Sequence, residues 1–220
     1  MLKKKTFEFI RGTLRNKTRE RTGALMIIGL IRHGLTDWNA VGKIQGQSDI
    51  PLNDEGRQQA EMLADRLRQE TYQWDYCITS SLSRAEETGA IIAAKLKLPL
   101  LAPDSRIRER AYGQVEGLTA EEREHKWGKD WNQLDLGQEK DEQLQCRALA
   151  FMEDISTKYS GRNILVVSHG GFLAQLYNAL YKDKYSERIG NLSLTILEKK
   201  EQVWNPLLYN CSQHILQKQH

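Results

Sequence analysis

The sequence predicts an α/β fold: a three-layer α/β/α sandwich built on a mostly parallel central sheet. Three observations lead there. Short apolar runs alternate with helical stripes from Met26 onward, the pattern of strands joined by crossover helices. The most apolar runs, 26-MIIGLI-31 and 163-NILVV-167, are continuous and do not alternate, as expected of strands buried on both faces. The length of 220 residues suits one domain with a substantial core.

Each element has its own warrant. Residues 26–31 read as the first strand. A helix over 54–70 follows, with Asn53 or Asp54 able to cap it and Ala60, Leu63, Ala64 and Leu67 falling at helical spacing. Asp75 to Thr79 is a short strand, and Leu82 to Leu96 a helix that Pro99 prevents from continuing. The stretch 119–138 is the least regular; Trp127 and Trp131 stand one helical turn apart within it. A long helix from Glu139 to Tyr159 carries Leu144, Ala148, Phe151, Met152 and Ile155 in register, with Gly161 as its stop signal. After the strand 163–167 come a glycine pair and a helix over 171–181, then strands near 192–198 and 203–209.

The net charge of +3 conceals an asymmetry. Residues 1–25 carry eight Lys and Arg against two acidic residues, so the rest of the chain is slightly acidic. A nucleic-acid arm and a targeting peptide are the alternatives for this segment. It lacks the apolar core of a secretory signal, and its glutamates argue against a transit peptide. The expectation is a solvated leader outside the fold, with Met26 marking the start of the folded domain over 26–220 and no nucleic-acid partner. No apolar run reaches the ~20 residues of a membrane span. Cys77, Cys146 and Cys211 are too scattered for a disulfide framework or zinc cluster. They read as reduced thiols of a cytoplasmic protein, with Cys77 and Cys146 in apolar, buried settings.

Ligands of open α/β sheets bind beyond the carboxyl ends of the strands. Three strand ends here carry unusual residues: Arg32-His33-Gly34, then 79-TSSLSRAEET-88 with Arg84 in the first helical turn, then 168-SHGG-171. Singly, a histidine at a strand end or an arginine on a helix is ordinary. Together, two histidines and two arginines converge on one sheet edge. Guanidinium forks match the oxygens of an anion, phosphate above all, and a helix starting at Gly170-Gly171 adds backbone N–H donors. The cations and the lack of neighbouring carboxylates discourage a metal. A histidine among cations stays neutral at physiological pH and keeps a nucleophilic lone pair. An acid for the leaving alkoxide comes from 106-RIRERAYGQVEGLT-119, where Glu109 and Glu116 are equal candidates by spacing.

These blocks resemble the histidine phosphatase superfamily, in its phosphoglycerate-mutase-like branch. The resemblance runs through 31-IRHGLTDWN-39, 45-QGQSDIPLNDEGRQQA-60, 80-SSLSRAEET-88, 107-IRERAYGQVEG-117, 166-VVSHGG-171 and 210-NCSQHI-215. It implies that His33 takes the phosphoryl group, that Arg32, Arg84 and His169 hold the transferring oxygens, and that Glu109, not Glu116, is the proton donor. It further implies that Asn39, Gln45, Gly46, Tyr112 and Gly170 line the phosphate and substrate, with no metal or cofactor. Glu109 and His169 lie 60 positions apart, the compact spacing of the phosphatases rather than of the glycolytic mutases. The segment 45-QGQSDIPL-52 looks like the bacterial broad-specificity and ribazole-phosphate phosphatases, and Gln45 stands where mutases have threonine. The implied function is hydrolysis of a small-molecule phosphomonoester by a monomer or homodimer. A mutase and a weakly catalytic phospho-ligand binding protein are the alternatives. Trp127 and Trp131, unless they are core packing, are expected to wall the leaving-group side, which would suit a nucleoside-like or aromatic ester.

Overall fold

A computed structural model describes residues 25–216. The basic segment, apart from Leu25, lies outside the described residues, and so does the expectation placed on it. The elements are β1 (Met26–Arg32), α1 (Asp37–Ala40), α2 (Asp54–Gln69), β2 (Tyr76–Thr79), α3 (Ser83–Leu96), α4 (Ala120–Trp127), α5 (Asp141–Lys158), β3 (Ile164–Ser168), α6 (Gly170–Tyr181), β4 (Leu194–Lys200), β5 (Val203–Cys211) and α7 (Gln213–Leu216).

The sheet order is β2-β3-β1-β4-β5. β3 pairs in parallel with both β2 and β1, whereas β4 is antiparallel to β1 and to β5. Only β4 is therefore reversed, and the sheet is mostly parallel in strand direction. The pleat sends alternate residues of β1 to opposite faces. Met26, Ile28 and Leu30 pack with Leu144, Phe151 and Ile155 of α5 and Phe172 and Leu176 of α6. Ile27 and Ile31 pack with Leu63 and Leu67 of α2 and Ile92 of α3. Those two clusters are the two interfaces of a three-layer sandwich, and each fully buried Leu or Ile contributes roughly 1.5–3 kcal/mol.

Most boundaries match the periodicity to within two residues. Asn53 caps α2, its side chain accepting from Gly56 N at 2.9 Å. The region 119–138 departs from expectation. It contains α4, opened by a capping box in which Thr119 and Glu122 each accept from the other's backbone N–H. Cys146 also departs, being exposed on α5, while Cys77 is buried. Among the described residues no helix is long and apolar enough to cross a membrane.

Candidate active site

Sheet order explains the convergence at one edge. β3 lies between β1 and β2, with Arg32 paired to Ser168 and Thr79 to Val167. The residues immediately after the three strands, His33, Ser80 and His169, thus emerge side by side. The rings of His33 and His169 lie 5.1 Å apart at 55°, and His169 Nε2 meets Ser80 Oγ at 2.7 Å. A cavity of ≈ 380 Å³ opens beyond them. Arg32, His33, Asn39, Gln45, Gly46, Arg84, Glu109, Tyr112 and Gly170 all line it; His169 does not, though its ring adjoins that of His33.

His33 is buried, and its Nδ1 is 2.7 Å from the carbonyl of Gly34. A carbonyl can only accept, so Nδ1 carries the proton and neutral His33 presents its lone pair at Nε2. Burial, then the charges of Arg32 and Arg84, hold its pKa well below that of ordinary histidine. His169 is lowered likewise, by burial first and then by Arg84.

Both arginines are fastened to backbone. Arg32 donates from Nη1 to Ile189 O at 2.7 Å; burial lowers its pKa to about 10. Arg84, fully buried, donates to Ser48 O at 2.8 Å and Gly46 O at 2.7 Å. Both acceptors sit in a loop that Glu116 holds. Its carboxylate accepts from the N–H groups of Gln47, Ser48 and Tyr112 and from Ser48 Oγ. Gly46 has a φ of +54°, and a Cβ there would stand 2.0 Å from Glu116 Oε1, so the loop needs glycine twice over.

The two glutamates left equal by spacing are thereby told apart in place. Glu116 clamps the loop and is not among the lining residues; Glu109 lines the cavity. The carboxylate of Glu109 accepts from Arg110 N at 2.8 Å, Phe172 N at 2.9 Å and Gly171 N at 3.0 Å. The N–H groups of Gly171 and Phe172, at the start of α6, thus serve Glu109, while Gly170 lines the cavity. A Cβ on Gly171 would lie 2.6 Å from Glu109 Oε1, so the second glycine of the pair admits the carboxylate. Arg147 secures the approach by donating to the carbonyls of Arg106, Arg108 and Glu109.

Trp127 and Trp131 do not wall this cavity. Gly128, with φ +82°, ends α4 between them. Trp131 lies under Arg123 and lines a separate cavity with Leu134 and Asp141. The cavity beside His33 is instead rimmed by Lys43, Ile44, Ala174, Glu187 and Arg188. Several supporting residues had gone unrecognised in the sequence. Asn191 Nδ2 donates to His33 O at 3.0 Å and reaches Gly34 O at 3.3 Å. Thr88 Oγ1 accepts from Gly34 N and donates to Arg84 O, tying the first strand end to α3. Among the described residues no cluster of three or more His, Cys, Asp or Glu is placed to hold a metal ion.

An arrangement of this kind can bind a tetrahedral anion, offer it a neutral imidazole, and exchange a proton with a nearby oxygen. The chain is similar to known proteins. The family model of the histidine phosphatase superfamily (branch 1) matches residues 28–212. The chain is 33% identical over 189 residues to the Bacillus subtilis protein named uncharacterized phosphatase PhoE, covering 84% of this chain and 95% of that one. It is 38% identical over 180 residues to phosphoglycerate mutase-like protein 4 of Arabidopsis thaliana, covering 77% of each. Bacillus stearothermophilus YhfR superposes with a TM-score of 0.75 at 29% identity, over 86% of this chain and 99% of that chain.

Proposed function

The chain belongs to the histidine phosphatase superfamily, branch 1, and on that premise we propose that it hydrolyses phosphomonoesters through a phosphohistidine formed on His33. The observation that carries the proposal is a neutral, buried His33 between two backbone-anchored guanidiniums, with Glu109 on the same cavity wall. In the first step Nε2 of His33 attacks phosphorus and the P–O bond to the leaving group breaks. Arg32, Arg84 and His169 stabilise the charge on the equatorial oxygens, and Glu109 passes to the departing oxygen the proton that the phosphate monoanion brings into the site. In the second step Glu109 takes a proton from water, the water oxygen attacks phosphorus, and the P–N bond breaks. Inorganic phosphate leaves with the proton that Glu109 took from water, and His33 and Glu109 return to their starting states.

Relatives carry both phosphatase and mutase-like names, so the acceptor decides the reaction. Hydrolysis is favoured because the 56 residues from Gly113 to Ser168 contribute nothing to the cavity wall. α4 and α5, which fill much of that stretch, leave the phosphohistidine open to water. A mutase needs the reverse: water kept out while the sugar acid reorients.

The test is a turnover screen across phosphomonoesters with phosphoglycerate isomerisation assayed alongside. Phosphate release should dominate, and an acid-labile, base-stable phosphoenzyme should form in the wild type and vanish in His33→Ala. Wild-type turnover by that variant would exclude His33 as the nucleophile.

A further inference from the structure

The rim of the cavity carries charge that a single phosphoryl group does not use. Beyond Arg32 and Arg84 stand Lys43, Glu187 and Arg188, together one net positive charge. Lys43 rests over the ring of Trp38. Arg188 forms no ion pair or side-chain hydrogen bond among the described residues, not even with the adjacent Glu187. Its charge is nonetheless felt at Arg32, where it is one cause of the lowered pKa. Two like charges brought together across a pocket repel unless an anion lies between them.

The backbone around Arg188 is built to keep it there. Asn210 donates from Nδ2 to Arg188 O at 3.0 Å and accepts from Gly190 N at 3.0 Å. The next carbonyl, Ile189 O, receives Arg32 Nη1 at 2.7 Å. The loop is therefore clamped from β5 on one side and tied to the phosphate-binding arginine on the other. These bonds fix the backbone from which Arg188 projects at the cavity rim.

We propose that Arg188 is the specificity-determining residue of this pocket, pairing with a carboxylate on the leaving-group side of a short phosphorylated acid. The assignment rests on the phosphomonoesterase reading for its chemistry and narrows the substrate class. One guanidinium fork matches one planar carboxylate, and the rim's single net positive charge matches a monoanion better than a second phosphate. This displaces the expectation of an aromatic leaving group, since neither tryptophan reaches the cavity.

Binding separates this assignment from the catalytic one. 3-Phosphoglycerate and glycerol 3-phosphate differ in bearing COO⁻ or CH₂OH at one end. Calorimetry on His33→Ala, which cannot form the phosphoenzyme, should show the carboxylate binding roughly tenfold tighter, the order expected for one charge-assisted hydrogen-bond pair. The preference should collapse in His33→Ala/Arg188→Met and return in part with Arg188→Lys. Because Arg188 is exposed, it should also weaken as salt is raised. Equal affinities in His33→Ala, or a preference that survives Arg188→Met, would overturn the assignment. A preference that behaves as expected while the wild type releases phosphate from no ester in the turnover screen would support Arg188 and overturn the hydrolase reading.

Discussion

Substituting Glu109 by glutamine separates proton donation from the carboxylate's structural work. Glu109 Oε1 accepts from Arg110 N and Phe172 N, and Oε2 accepts from Gly171 N at 3.0 Å. Glutamine keeps the shape but only one oxygen. With that oxygen at the Oε1 position, two bonds survive and the new NH₂ group faces the N–H of Gly171, donor against donor. Flipping the amide saves one bond and spoils two. The cheaper arrangement loses one hydrogen bond to a charged group, about 1.5–3 kcal/mol, and a favourable charge at the α6 N-terminus, about 0.3–1 kcal/mol. Glu109→Gln should therefore be destabilised by roughly 2–4 kcal/mol, read as a lower urea midpoint with unchanged slope.

The kinetic consequence depends on the leaving group. kcat/KM reports steps up to formation of the phosphoenzyme, where an alkoxide needs a proton and p-nitrophenolate does not. The variant should lose about 10²–10⁴-fold in kcat/KM on an alkyl phosphate and far less on p-nitrophenyl phosphate. With the latter, phosphoenzyme should accumulate because the water-activating carboxylate is gone. Equal losses on both esters would refute Glu109 as the general acid; unchanged stability would refute the hydrogen-bond reasoning.

Three further outcomes follow from the same geometry. His33, His169 and His214 are buried and neutral, each with its pKa below the ordinary value, His214 near 4. The unfolded chain therefore binds more protons below pH ~6.5. The stability these groups allow is complete above that pH and is lost as pH falls, by at most roughly 4 kcal/mol per unit if all three titrate together; a urea midpoint flat from pH 7 to 5 would contradict this. Asn191→Ala frees the carbonyls of His33 and Gly34, and loosening the nucleophile's mount should slow phosphoenzyme formation by about 10–100-fold in rapid-quench measurements. An unaltered rate would make Asn191 incidental. Cys146 is exposed, whereas burial pushes the Cys77 thiol up to about 12, so a thiol reagent should label Cys146 in the native protein and Cys77 only after unfolding; native labelling of Cys77 in Cys146→Ser would disprove the packing.

What the sequence revealed and what it hid divide along a physical line. β1 and β3 were legible because burial on both faces leaves an uninterrupted apolar run, and α2 because one face repeats Ala60, Leu63, Ala64 and Leu67. The choice between Glu109 and Glu116 depends on which carboxylate meets the start of α6, some 60 residues on, and no local pattern carries that. Arg188 and Asn191 lie in an aperiodic stretch whose role is set by the fold around it. Other misses were avoidable. Thr119 and Glu122 spell a capping box, and Gly128 breaks the turn that would have aligned the two tryptophans. Cys146 sits two residues beyond Leu144 on α5, roughly 200° around the helix from it, and so faces away from the core.

The same line accounts for how two arginines and two histidines share one buried site. Burying two arginines with two histidines costs desolvation and repulsion, visible in the lowered pKa of all four. Each terminal guanidinium nitrogen carries two hydrogens, and Arg32 and Arg84 commit only one from each nitrogen that meets a carbonyl. Those bonds partly repay the desolvation, fix the plane of the fork, and leave the remaining N–H groups for a ligand. The histidines meet the cost by staying neutral, which is also the state a nucleophile requires. Cation placement adds to burial in keeping His33 neutral, so removing either arginine should raise the pKa of His33 as well as weaken phosphate binding. In Arg84→Met the acid limb of kcat/KM should move upward in pH; a limb that stays in place while affinity falls would show that burial alone keeps His33 neutral.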